Sequence, residues 1–197
     1  MKKILITQRV IIRERVQERC DALDQRYLTL LEKCELIPVI APNNLKLVKQ
    51  ILKTQPVSGF FLSGGNDLSS LGGKVPERDS VERYLIRQAI RKDLPLLGVC
   101  RGMQMIQAVY NIKLSKIQGH ITKKQKIITK TGPRIVNSYH NFGTTETKPS
   151  LRIWATSQDG IVKAIKHKNK KIWGIMWHPE RQKKIDKLDI KLIKQIF

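Results

Sequence analysis

Two short stretches of this chain carry the residue types needed for covalent acyl chemistry. In Leu96-Leu97-Gly98-Val99-Cys100-Arg101-Gly102-Met103-Gln104 an apolar run reaches a thiol and then turns into the start of a helix. Pro95 before the run and Gly98 and Gly102 around the thiol suit an abrupt bend, because glycine lets the backbone turn where a side chain would collide. Such a strand-to-helix turn lifts a nucleophile above its sheet, and the unpaired N–H groups and helix dipole there lower a cysteine's pKa. Alone, Cys100 reads more readily as a small buried hydrophobe. The second stretch, Ile175-Met176-Trp177-His178-Pro179-Glu180, shifts the balance toward chemistry. Proline disfavours helix at His178, so on an extended segment the imidazole and the Glu180 carboxylate project to one side. Glu180 can then hold one ring nitrogen while the other meets the thiol, which makes Cys100, His178 and Glu180 a candidate triad.

With these residues the chain resembles the class I glutamine amidotransferases and their stand-alone relatives, the γ-glutamyl hydrolases. Gly98 to Gln104 and Trp177-His178-Pro179-Glu180 are similar to that family's nucleophile and His/Glu motifs. Ser63-Gly64-Gly65-Asn66-Asp67 is similar to its oxyanion-strand turn, and Val136-Asn137-Ser138-Tyr139-His140 to its substrate-binding segment, all in the family's order. Within the family, Ile6-Thr7-Gln8-Arg9 and the string Leu62 to Ser70 most resemble the γ-glutamyl-CDP-amidate hydrolases of bacterial capsule synthesis. The resemblance implies a single-domain, flavodoxin-like α/β fold over residues 1–197, with a mostly parallel central sheet, flanking helices and a smaller antiparallel portion.

The activity it implies is hydrolysis of a γ-glutamyl amide through a glutamyl thioester on Cys100, with His178 as proton shuttle oriented by Glu180. The residue after an elbow nucleophile offers its backbone N–H to the oxyanion, which points to Arg101. The resemblance adds the backbone of Gly65, with Gly64 allowing close approach; an ordinary tight turn is the plainer reading of both. Gln104, one helical turn after Cys100, is expected to face the pocket and meet the glutamyl part. Asn137, Ser138 and Tyr139 resemble the segment that grips the α-amino and α-carboxylate groups. His140 is expected to shape that segment, His120 is a weaker pocket candidate, and His167 in its lysine cluster reads as surface. Asp159-Gly160-Ile161-Val162-Lys163-Ala164 is similar to a family string that often carries a carboxylate where Lys163 stands, so Lys163 either changes substrate contacts or points to solvent. For a nucleotide-linked leaving group, Arg9, Arg13 and Arg15 after the first strand are the candidate phosphate contacts, or else part of a general basic surface.

The elements that must position these groups follow from the hydrophobic pattern. Lys3 to Thr7, Leu36 to Ile40, Val57 to Leu62 and Leu96 to Val99 read as buried strands, alternating with helices over Glu14–Cys34, Leu45–Lys53, about Asp79–Lys92 and the segment after Cys100. Such alternation implies right-handed crossovers and a parallel sheet whose ligands sit at the carboxyl ends of the strands. Cys20 and Cys34 fall on the apolar face of the first helix and are expected in the core. From Lys113 onward, short extended runs (Gln125–Thr129, Arg134–Ser138, Leu151–Thr156, Ile161–Ile165, Lys171–Trp177) suggest antiparallel or edge strands. A closing helix from about Glu180 is expected to be buried through Ile185, Leu188, Leu192 and Ile196.

Composition narrows the class. The chain is large enough to bury a core without staples, 41% of it is hydrophobic, and its three cysteines show no CxxC spacing, so neither a disulfide framework nor a metal site is expected, and no cofactor. No leader or membrane-length apolar run is apparent, which suggests a cytoplasmic protein. Lys and Arg number 38 against 16 Asp and Glu, a formal charge of +22. The basic residues are scattered and no nucleic-acid-binding motif accompanies them, so a solvated lysine-rich surface is expected rather than a nucleic-acid partner. Three readings remain: a self-contained γ-glutamyl hydrolase, for a nucleotide-linked amide or for γ-glutamyl amines generally; the glutaminase subunit of a two-part amidotransferase; and a basic binding protein on an inactive fold.

Overall fold

The computed structural model describes residues 1–197. In chain order the elements are β1 (Lys2–Thr7), β2 (Arg9–Arg13), β3 (Glu18–Ala22), α1 (Gln25–Lys33), β4 (Leu36–Ala41), α2 (Leu45–Thr54), β5 (Gly59–Leu62), α3 (Pro76–Lys92), β6 (Leu96–Val99) and α4 (Arg101–Val109). There follow β7 (Ser115–Lys116), β8 (Ile121–Thr129), β9 (Gly132–Tyr139), β10 (Phe142–Gly143), β11 (Leu151–Ser157), β12 (Val162–His167), β13 (Ile172–Ile175) and α5 (Lys187–Ile196). Nine strands form one sheet in the order β4-β1-β5-β6-β13-β12-β11-β8-β9. The pairings from β4 to β13 are parallel, and those from β13 through β12, β11 and β8 to β9 are antiparallel.

The buried strands read as continuous apolar runs because both faces of the sheet are covered. In β1, Ile4 and Ile6 point toward α1 and α5, where Leu30, Leu31, Ile193 and Ile196 complete one core. Leu5, between them, points to the other face, where Val48 of α2, Leu85 and Ile86 of α3, and Met103 and Ile106 of α4 complete the second. Period-two alternation thus feeds two cores from one strand. No helix is long and apolar enough to cross a membrane.

Two helical expectations are corrected. The segment Glu14–Cys34 is not one helix: Arg9 to Ala22 form the β2–β3 hairpin, in which Arg13 pairs with Glu18 in register across a 3-10 turn over Glu14–Val16, and only Gln25–Lys33 is α-helical, capped by Asp24 accepting from the Arg26 N–H. The helical spacing is right for Tyr27, Leu30, Leu31 and Cys34, but Val16 is exposed, and Cys20 sits opposite Ile11 in the hairpin rather than on a helical core face. Likewise the last helix does not start at Glu180. A single 3-10 turn over Pro179–Arg181 ends there, and α5 begins after Asp186, whose carboxylate caps the Leu188 N–H. This phase leaves Leu188 more than half exposed and turns Leu192, Ile193 and Ile196 inward.

Candidate active site

β6 and β13 are parallel neighbours with Val99 opposite Ile175, so the residues beyond both strands emerge at one edge of the sheet. Cys100 stands on the turn from β6 into α4 with φ +52 and ψ −105, a conformation that costs a non-glycine residue about 1–3 kcal/mol. Neighbouring structure enforces it. The Cys100 N–H donates to the Ile175 carbonyl at 2.7 Å, and its own carbonyl accepts from the Gln104 N–H at 3.0 Å. A Cβ on Gly98 would fall 2.5 Å from the Gly102 carbonyl carbon, and one on Gly102 would fall 2.3 Å from the Leu62 carbonyl oxygen. Only glycine at both positions lets strand, turn and helix approach this closely.

His178 follows β13 in an extended conformation and is 1% exposed. Its Nδ1 lies 2.6 Å from Glu180 Oε1, and Glu180 is itself buried. Burial pulls the imidazole pKa down, but the facing Cys100 sulfur and the Glu180 carboxylate outweigh it and raise the pKa to about 9. An imidazolium beside a sulfur nucleophile is thus favoured at neutral pH. Asn137 fixes the backbone here: its Oδ1 accepts from the His178 N–H and its Nδ2 donates to the His178 carbonyl, both at 2.8 Å.

The turn Ser63-Gly64-Gly65-Asn66 packs against both groups. A Cβ on Gly64 would lie 2.7 Å from His178 Cε1 and 3.5 Å from Cys100 Cβ. The Gly64 N–H donates to the Tyr27 hydroxyl at 2.9 Å, and burial, then the Glu180 charge, keep that hydroxyl protonated. On the far side the Arg78 guanidinium donates to the carbonyls of Ser63, Gly64 and Gly65 in succession. With the carbonyls gathered on Arg78, the turn is held from behind. Arg78 and Arg101 share the Glu82 carboxylate, Arg101 also bonds Asp79, and all four side chains are buried. One neutral cluster therefore ties the glycine turn to the first residue of α4. Sequence reasoning missed Arg78 and Glu82. Their signal was phase: they share the buried stripe of α3 with Val81, Leu85 and Ile86, where isolated charges would be costly.

A pocket of about 280 Å³ opens over Cys100 and His178, walled by Gly65, Gln104, Tyr139 and His140, among others. Gln104 Nε2 donates to the Phe142 carbonyl at 3.1 Å, so the amide is held in place on the pocket wall. Tyr139 lines the pocket, and its carbonyl lies 3.9 Å from Cys100 Sγ. The side chains of Asn137 and Ser138 turn away: Asn137 holds His178, and Ser138 Oγ donates to the His120 carbonyl at 2.8 Å. His120 is buried behind the wall, packed on the His140 ring and bonded to Asp159. Arg9 packs along Gly65 and pairs with Asp24 at 3.8 Å, Arg13 pairs with Glu18 at 3.0 Å, and neither Arg13 nor Arg15 lines the pocket. The hairpin places Arg13 at the end of β2 and Arg15 in the 3-10 turn at its tip, while Arg9 stays against the glycine turn.

Lys163 does not point to solvent. It is 1% exposed, with Nζ 3.0 Å from Ser138 Oγ and 2.6 Å from His140 Nε2. His140 Nδ1 lies 2.9 Å from the Phe142 carbonyl, which can only accept, so Nδ1 carries the proton and Nε2 accepts from Lys163. Burial and then the Lys163 charge depress the His140 pKa to about 3, and burial brings Lys163 itself down to about 7. His140 is therefore a fixed neutral wall of the pocket. No three His, Cys, Asp or Glu side chains are grouped to hold a metal ion.

The peptidase C26 family model matches residues 6–180, from β1 through Glu180. The chain belongs to the peptidase C26 family. It is a cysteine-type γ-glutamyl hydrolase of the glutamine amidotransferase-like kind. It is 34% identical to the γ-glutamyl-CDP-amidate hydrolase of Campylobacter jejuni, covering 98% of this chain and 96% of that one. It is 30% identical to a glutamine-hydrolysing GMP synthase subunit of Methanocaldococcus jannaschii over 72% of this chain and 73% of that one. Among solved structures, a putative GMP synthase subunit from Thermoplasma acidophilum superposes with a TM-score of 0.76 at 18% identity, over 100% of this chain and 92% of that one. That last likeness bears on the fold of this C26 chain alone.

Proposed function

We propose that Cys100, His178 and Glu180 hydrolyse a γ-glutamyl amide whose leaving nitrogen is attached to a cytidine diphosphate, releasing glutamate and cytidine diphosphoramidate for capsule polysaccharide modification. The observation that carries this reading is the similarity to the Campylobacter jejuni γ-glutamyl-CDP-amidate hydrolase, which runs nearly end to end in both chains.

The Cys100 thiolate attacks the γ-carbonyl carbon, and the negative charge on its oxygen is met by the backbone N–H groups of Gly65 and Arg101. The Gly64 N–H is already engaged by Tyr27. As the tetrahedral centre collapses the C–N bond breaks, and imidazolium His178 gives its proton to the departing nitrogen. The neutral imidazole then takes a proton from water, the hydroxide adds to the thioester carbon, and thiolate leaves as glutamate is released. Glu180 holds Nδ1 and stabilises the charged imidazole throughout. Gln104 and the Tyr139 backbone, on the pocket wall, hold the glutamyl group.

Incubating the purified chain with γ-glutamyl-CDP-amidate, and separately with glutamine, and measuring released glutamate tests the proposal. It predicts turnover of the nucleotide amide with the larger kcat/KM. Turnover of uncharged γ-glutamyl amines equal to or better than that of the nucleotide amide would leave a general γ-glutamyl hydrolase. The similarity to the Methanocaldococcus jannaschii protein favours one rival, a glutaminase subunit, which would show turnover only with a synthase partner present.

A further inference from the structure

Beside the catalytic pocket lies a second groove of about 400 Å³, lined by Lys123, Asn137, Tyr139, Arg181, Lys183 and Lys184 among others, with no acidic residue in its lining. Tyr139 and Arg181 border both cavities, so the groove continues from the pocket that holds Cys100 and His178. Its lysines are uncommitted, and Arg181 is paired only with the buried Glu180. Lys123, Lys183 and Lys184 make no ion pair, whereas Arg9 and Arg13 of the β2–β3 hairpin are paired with Asp24 and Glu18. Arg181 is the most telling of the four. Its guanidinium lies 5.1 Å from the centre of the Tyr139 ring, and its Nε is buried without a hydrogen-bond partner. Its nearest carboxylate oxygen, Glu180 Oε1, is 3.5 Å away and already accepts from His178.

Tyr139 links the two cavities. The His178 ring, source of the proton for the leaving nitrogen, has its centre 5.9 Å from that of Tyr139, and the Arg181 guanidinium lies 5.1 Å from the same ring centre. Tyr139 thus stands next to both the proton donor and the arginine of the groove. Beyond it, the lysines of the turn after Glu180 and of β8 supply point charges for phosphate oxygens, and a guanidinium can bind one in bidentate fashion.

We propose that the groove formed by Arg181, Lys183, Lys184 and Lys123 is the subsite for a diphosphate-bearing leaving group. It rests on the γ-glutamyl hydrolase reading for its purpose, though not for its measurement. The sequence alone points to Arg9, Arg13 and Arg15 for this role; Arg9 and Arg13 are paired with carboxylates and none of the three lines either cavity, whereas Lys123, Lys183 and Lys184 stand unpaired in the groove.

Titration calorimetry with inorganic pyrophosphate on the full chain needs no turnover. The probe should bind wild type, and Lys183→Gln with Lys184→Gln should weaken it about tenfold or more, as expected when charge-assisted contacts are lost. Both lysines are exposed, so the fold should be retained. Lys46→Gln with Lys53→Gln removes the same charge from exposed positions on α2, beside the opposite edge strand, and should leave binding within about twofold, since distant surface charges are screened. Equal weakening by the two double variants, or no pyrophosphate binding by wild type, would overturn the proposal. If the groove binds but no γ-glutamyl compound is cleaved, the function fails and the subsite stands. If γ-glutamyl-CDP-amidate is cleaved and pyrophosphate competes with it in wild type but not in Lys183→Gln/Lys184→Gln, both stand.

Discussion

Asn137 and His178 clasp each other through two 2.8 Å hydrogen bonds, side chain to backbone in both directions. They join β9, at the sheet edge, to the segment that carries the imidazole. Asn137→Leu keeps the branched shape and removes both bonds. Because misplacing a reacting group by an ångström costs about 100-fold, kcat should fall by about 10- to 100-fold while KM for glutamine changes little. The two orphaned backbone groups should also lower stability by about 1–3 kcal/mol. Steady-state kinetics and urea unfolding measure these. A raised KM with kcat intact would mean that Asn137 binds substrate directly.

Cys100→Ala should abolish hydrolysis, a loss of several orders of magnitude, with circular dichroism unchanged. Residual activity within about tenfold of wild type would remove Cys100 from the chemistry. Glu180→Gln should hurt less than His178→Ala, because it keeps the base while weakening its orientation.

The imidazolium must give up a proton, so kcat/KM for a substrate with slow acylation should fall as pH rises past about 9, where His178 deprotonates. Glu180 is among the groups that raise that pKa, so in Glu180→Gln the alkaline limb should move to lower pH. A pH–rate profile of both proteins measures this; an unmoved limb would mean that another group titrates.

Gly64→Ala would place a methyl group 2.7 Å from His178 Cε1. The imidazole is buried and bonded to Glu180, so it cannot yield without losing its alignment with Cys100. Activity should fall by about 100-fold or more, and overpacking should cost about 1–3 kcal/mol. Wild-type kinetics in this variant would show that the turn has slack.

Lys163 has a native pKa of about 7 against an ordinary value near 10.5. Between those values the unfolded chain binds the extra proton, so wild-type stability should gain as pH rises from about 7, and the penalty of burying the cation is largest below 7. Lys163→Met removes that term. Relative to wild type, the melting temperature of the variant should therefore compare more favourably at pH 6 than at pH 9. A difference independent of pH would show that Lys163 keeps its proton in the native state across this range, its pKa not depressed.

In the native protein, iodoacetamide should label Cys100 at the pocket before Cys34, whose thiol burial pushes up to about 11. Cys20, partly buried on the hairpin, should react at an intermediate rate rather than be protected. Peptide mass mapping over a time course gives the order. Cys34 labelled first would contradict the elbow.

The parts of this molecule that depend on neighbouring residues in the chain were legible in the sequence. The elbow at Cys100 needs Gly98 and Gly102 beside it, the closeness of His178 and Glu180 follows from their spacing around Pro179, although Glu180 lies in a 3-10 turn rather than on an extended segment, and alternating apolar runs require a sheet covered on both faces. Tertiary structure decided what depends on phase and distance. Residues 14–22 became a hairpin because cross-strand pairs and the Asp24 cap outweighed a helical spacing that only Tyr27 to Cys34 sustained. The side chains of Asn137 and Ser138, on opposite faces of β9, were committed to His178 and to His120 and Lys163. Arg78, Tyr27 and Arg181 act on groups brought near only by folding: carbonyls of the glycine turn, the Gly64 N–H, and a groove whose other wall is β8 and β9. A single charge on a buried helical stripe marks such a residue in sequence, but its partner is chosen by the packing of strands that lie far apart along the chain.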